Sequence, residues 1–130
     1  MTIAVDFDGT IVEHKYPEIG KEKPFAIQTL RTLQREGNRI ILFTSREGEL
    51  LDDAVAFCHE RGLDFFAVNS NQPADALVPR QTSKVIADVY IDDKNLGGLP
   101  DWPDIYEMIN GQRLERRAAR ERKSCLFRRR

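Results

Sequence analysis

Apolar positions follow two rhythms along this 130-residue chain. Thr2 to Val5 is a short run of β-branched and apolar residues cut off by Asp6-Phe7-Asp8-Gly9, which predicts a buried strand ended by an acid-glycine turn. Within Pro24 to Glu36, Phe25, Ile27, Leu30 and Leu33 recur at helical spacing; Pro24 suits the first turn of a helix and Gly37 its stop. Arg39-Ile40-Ile41-Leu42-Phe43 is continuously apolar after its first residue, the pattern of a central strand covered on both faces. Glu49 to Arg61 returns to a helical rhythm through Leu50, Leu51, Ala54, Val55, Phe57 and Cys58, and stops at Gly62.

The second half repeats the theme with shorter pieces. Phe65 to Val68 predicts a strand, and the polar, proline-containing Asn69 to Thr82 a loop leading into a short helical turn around Ser83 to Ala87. Val89-Tyr90-Ile91 is a strand stopped by Asp92-Asp93, and Gly97-Gly98-Leu99-Pro100 is a loop before a final helix from about Pro103. This alternation predicts a Rossmann-like three-layer α/β/α sandwich with a central parallel sheet. In such sheets ligands bind outside the carboxyl ends of the strands. Asp6 and Asp8, Thr44, and Asp92 and Asp93 all follow strand ends, so three segments deliver polar groups to one edge.

Composition narrows the class without changing that picture. Hydrophobic residues at 41% and charged residues at 32% describe an ordinary soluble domain, and no apolar run approaches the roughly 20 residues of a membrane span. The N-terminus lacks the basic and apolar regions of a signal peptide, and Cys58 and Cys125 have neither metal-ligand nor disulfide spacing. Both are read as reduced thiols of a cytoplasmic protein with no membrane partner. Charge is uneven: residues 113–130 carry nine Arg/Lys and two Glu, net +7, which leaves net −8 on residues 1–112. The expected organisation is therefore one domain over 1–112 and a basic tail over 113–130, helical or disordered.

Four carboxylates on one edge repel strongly unless a hard cation lies among them. Oxygen donors without a His or Cys cluster suggest magnesium, beside which an ammonium such as Lys84 and a hydroxyl such as Thr44 can hold phosphoryl oxygens. Taken singly, each has an ordinary reading. Asp and Gly favour turns, Thr44 can end a strand, Lys84 can be solvated, and Asp92-Asp93 can cap a turn. An EF-hand is excluded, because its glycine belongs at loop position 6 and here stands at position 4. The joint order along the chain outweighs the single readings.

In that order the chain resembles the haloacid dehalogenase superfamily of phosphohydrolases. Asp6-Phe7-Asp8-Gly9-Thr10 matches its first motif, Ile40-Ile41-Leu42-Phe43-Thr44 its second, Lys84 its third and Asp92-Asp93 its fourth. The resemblance implies a magnesium-dependent phosphomonoesterase in which Asp6 attacks phosphorus to form an aspartyl-phosphate. Asp8 would protonate the leaving oxygen and then deprotonate water. Magnesium would be held by the Asp6 carboxylate, the Asp8 backbone carbonyl and the acidic pair, with Asp93 as direct ligand and Asp92 behind it.

Spacing limits the substrate. Asp8 and Thr44 are 36 positions apart and Thr44 and Lys84 are 40 apart, so no cap domain fits between the motifs and the site should be open, unless a second subunit covers it. Ser45, Arg46 and Lys94, next to the motifs, are candidate substrate contacts, and Glu13, His14, Lys15 and Tyr16 lie in a flap that can gate access. His59 has Leu63 where a second zinc-binding histidine would be needed and reads as a helix-surface residue. The basic tail offers a nucleic-acid contact, which makes a polynucleotide 3′-phosphatase one alternative. A non-catalytic phospholigand-binding module on the same fold is the other.

Overall fold

A computed structural model describes residues 1–73 and 85–128. Lys84, with Ser83 of the expected turn at Ser83 to Ala87, and the expected loop beyond Pro73 lie outside the described residues. Among those described, the order is β1 (Thr2–Val5), α1 (Ala26–Arg35), β2 (Arg39–Leu42), α2 (Gly48–Glu60), β3 (Ala67–Val68), β4 (Val89–Ile91) and α3 (Trp102–Arg128). The strands form one sheet, ordered β3-β2-β1-β4 and parallel throughout. This is the Rossmann-like α/β architecture that the alternation of patterns predicts. The chain steps outward from β1 to β3 and then returns to the far side of β1. The topological switch point, where such sheets bind ligands, therefore lies between β1 and β4.

Register sorts the side chains. Ile3 stands opposite Ile40 and Val89, and Val5 opposite Leu42 and Ile91. Because strand side chains alternate in direction, Ile3, Val5, Ile40, Leu42 and Ile91 enter one cluster with residues of all three helices, among them Leu30, Leu33, Ala54, Cys58, Ile105 and Ile109. Ala4, Ile41 and Ala67 join Val85 in a second cluster, which ties the β3–β4 connection to the sheet. In α1 and α2 the rhythm picked out the buried Ile27, Leu30, Leu33, Ala54 and Cys58, whereas Phe25, read with them, is exposed.

Local differences from the sequence reading have physical causes. Helix α1 begins at Ala26 because Phe25 takes a left-handed conformation, φ 66°. No helical turn forms at residues 85–87. Instead the Asn71 amide donates to the Ile86 carbonyl (2.6 Å) and accepts its N–H (2.8 Å), taking the backbone groups a turn would use. Between the first acids and α1 the chain makes only a flap, closed by the pairing of Val12 with Glu22 and the Glu13 N–H to Lys21 carbonyl bond of 2.8 Å. No cap domain intervenes.

Helix α3 continues through the basic segment. Trp102, Ile105 and Ile109 are buried on the body, and Arg116 reaches Asp88 at 2.7 Å. Among the described residues, no hydrogen bond or ion pair joins the helix to the body after Arg116, and Arg117 pairs within the helix to Glu121. No helix among the described residues is long and apolar enough to cross a membrane. Cys58 is buried, Cys125 is exposed, and both are free. His59 sits on the surface of α2, paired with Asp64.

Candidate functional site

The edge of the sheet at the switch point is built by a tight loop after β1. The Asp6 N–H still bonds the Ile91 carbonyl (3.0 Å), and the chain then folds over so that the Thr10 and Ile11 N–H groups both return to the Phe7 carbonyl. Gly9 has φ 81°, and a Cβ there would meet the Asp93 carboxylate at 2.3 Å. A glycine is required both for the backbone angle and for the approach of Asp93. Thr10, fully buried, joins the two strand ends: its hydroxyl donates to Asp6 Oδ2 (3.3 Å) and accepts from the Asp93 N–H (3.1 Å). Trp102 at the start of α3 holds the Thr10 carbonyl through Nε1 at 3.1 Å.

As a result Asp6, Asp92 and Asp93 each offer a carboxylate oxygen within 4.8 Å of the others. The Asp6 carboxyl is pushed up to about 7, chiefly by burial; the Phe7 N–H bond opposes the rise, while Asp92 and Asp93 add to it. Above that pH three like charges share a small volume. Asp92 Oδ1 also accepts the Lys94 N–H at 2.9 Å.

Asp8 is held quite differently. The Arg46 guanidinium grips both its oxygens, with Nε to Oδ2 and Nη2 to Oδ1 each at 2.8 Å. Arg46 is 1% exposed, and its three other N–H groups go to the carbonyls of Pro17 (3.2 Å), Leu50 (3.3 Å) and Glu18 (2.9 Å). The guanidinium also lies 5.2 Å from the ring centroids of both Phe7 and Tyr16. All five donors of the fork are therefore spent inside the protein. The expectation that Arg46 contacts substrate is corrected: it fastens Asp8, the flap and the start of α2 to one another.

Several of the other expected residues surround a cavity of about 510 Å³ at the acids, Glu13 and Lys15 of the flap not among them. Thr44, Ser45, Asp8 and Lys94 line it, with Lys94 Nζ 4.0 Å from Asp93. Thr44 is fixed by Asn69, whose Oδ1 accepts its N–H at 2.8 Å from a backbone with φ 51°. His14, Tyr16 and Phe43 complete the walls. Sequence reading missed the parts played by Thr10, Asn69 and Phe43. For Asn69 a signal existed, since an Asn directly after a strand is a residue that tolerates the left-handed conformation.

No family model and no curated protein matches the chain. A solved structure described as that of the conserved protein coded by locus from Bacteroides thetaiotaomicron is similar, at TM-score 0.80 and 56% identity over 86% of this chain and 91% of that one. The chain belongs to that protein's family.

Among the described residues, the donor set at the switch point is three carboxylates, with no imidazole or thiolate in the group. Such a set fits a hard divalent cation better than a soft one. Beside it, the cavity presents the hydroxyls of Thr44 and Ser45 and the ammonium of Lys94. These are groups that neutralise and orient an anion.

Proposed function

We propose that this protein hydrolyses phosphomonoesters with magnesium as cofactor, through an aspartyl-phosphate on Asp6, on a fold of the haloacid dehalogenase type. The observation that carries the reading is the meeting of Asp6, Asp92 and Asp93 within 4.8 Å on the floor of an open cavity whose walls bear Thr44, Ser45 and Lys94. Asp6, the Asp8 backbone carbonyl and Asp93 would hold the metal, which when bound offsets phosphoryl charge and keeps Asp6 ionised. Asp93 suits direct ligation because Thr10 and Gly9 fix it, while Asp92 is partly engaged by the Lys94 N–H.

Asp6 attacks phosphorus, forming an oxygen–phosphorus bond as the bond to the leaving oxygen breaks. Thr44 and Lys94 hold the phosphoryl oxygens, and Lys84 is assigned the same task on the resemblance alone. Asp8 supplies the leaving-group proton and then takes one from the water that splits the aspartyl-phosphate. Each Asp8 oxygen accepts one N–H from Arg46, which leaves a further lone pair on each to carry the proton.

The test is metal-dependent phosphate release from a broad substrate panel, with Asp6→Asn and Asp8→Asn beside the unmodified chain. Asp6→Asn should abolish turnover on every substrate. Asp8→Asn should retain a burst with nitrophenyl phosphate and carry a phosphoryl group detectable by mass spectrometry. Normal turnover by Asp6→Asn would refute the mechanism. A panel that binds without releasing phosphate would favour a phospholigand-binding module instead.

A further inference from the structure

Two large aromatic side chains stand exposed around the same cavity as the carboxylates: Tyr16 at 51% and Phe43 at 37%. They come from different elements. Phe43 follows β2 directly, its N–H bonded to the Val5 carbonyl at 2.8 Å, so its backbone is an extension of the sheet. Tyr16 lies in the flap, where an exposed ring would ordinarily be free to move. Here its place is set from behind. Arg46 binds the next two carbonyls, of Pro17 and Glu18, and its guanidinium lies 5.2 Å from the Tyr16 ring. Gly20 tightens the same flap, since a Cβ there would sit 2.0 Å from the Glu13 carbonyl.

An aromatic ring that is exposed yet held by a buried cation is preorganised for a partner, because the ordering cost is met before binding. The partner is a small one, since the rings line a cavity of about 510 Å³ whose floor is the acidic cluster. Resting on the phosphomonoesterase reading above, we infer that Tyr16 and Phe43 form the leaving-group subsite and that it takes a planar aromatic group. Ring faces stack on planar groups whatever their substituents. A flexible polyol has no ring to stack between Tyr16 and Phe43. Arg46 is the positioning residue of this subsite.

The experiment compares phenyl phosphate with glycerol phosphate in the unmodified chain, Tyr16→Ala, Tyr16→Phe and Phe43→Ala. The quantity read is the change in the ratio of kcat/KM values, from which the intrinsic reactivity of each ester cancels. Tyr16→Ala and Phe43→Ala should each lower the phenyl-to-glycerol ratio about tenfold, and Tyr16→Phe should restore most of it. Dissociation constants for the same two esters, measured by calorimetry on the Asp6→Asn background, are judged by the same ratio. The subsite therefore stands or falls even if no phosphate is released, an outcome that would sink the hydrolase reading alone. Ratios unchanged by both alanine variants would overturn the inference.

Discussion

Removing Arg46 tests the account of the site at its most buried point. Arg46→Met keeps much of the aliphatic stem that packs beneath the flap but deletes all five donors. The Asp8 side chain, 12% exposed, is left without its cation, and breaking a buried pair from one side costs about 3–5 kcal/mol. Asp8 borders the cavity, where water can reach part of it, so the lower end applies. Loss of the bonds to the Pro17, Glu18 and Leu50 carbonyls adds about 1 kcal/mol in total, because two of these lie in the exposed flap and rehydrate. The expected loss is about 4 kcal/mol, or a fall in Tm of roughly 15 °C for a domain of this size. Urea and thermal unfolding measure it directly. The double variant Asp8→Asn with Arg46→Met removes the stranded charge and should recover about 2 kcal/mol relative to Arg46→Met alone. Arg46→Lys, which keeps the charge but not the fork, should fall between. A loss below about 1 kcal/mol, or strict additivity of the two single changes, would refute the reasoning.

On the proposed reading, Asp6 links pH to magnesium binding. With its carboxyl raised from 3.8 to about 7, the folded chain holds a proton that the unfolded chain has lost in that window. The contribution of Asp6 to stability therefore falls as pH rises from about 4 to about 7, and stays low above. Magnesium competes with that proton, so millimolar magnesium should raise Tm more at pH 8 than at pH 5; equal shifts, or none, would count against the metal site. In the tail, helix beyond Arg116 lacks bonds to the body among the described residues, and a short unsupported helix is marginal in water. Amide hydrogen exchange after Arg117 should be at least about 100-fold faster than at Ile105 and Ile109, and comparable protection would place an unrecognised contact there.

The fold was legible because its signals are local. Apolar runs such as Ile40-Ile41-Leu42, bounded by helical rhythms and glycine stops, need no long-range information to be read, and helix α3 and the strands fall where these patterns lie. The acidic edge was legible for the same reason, since Asp6, Asp92 and Asp93 each follow a strand end and a parallel sheet gathers such ends. At residues 85–87, the described part of the expected turn, a competing interaction forms instead: Asn71, fifteen residues away, bonds both backbone groups of Ile86. No periodicity carries that pairing.

Arg46 marks the limit of such reading for a deeper reason. An arginine just after a strand, followed by Glu47, has every mark of a solvated loop residue or of a substrate contact, and both readings leave its charge near water. Burial reverses the sign of the expectation, because a guanidinium can leave water only if nearly all of its donors are satisfied. Here that demand is met by partners 38, 29 and 28 positions away and by one within α2, so the contact exists only once the flap has closed over the sheet. The same closure then gives Arg46 its second effect. Whatever fixes the Pro17 and Glu18 carbonyls also fixes Tyr16, so the residue that anchors Asp8 also sets one wall of the cavity. On the proposed reading, acid–base geometry and substrate choice are thereby tied to one side chain, and a change that loosens either should be felt in both.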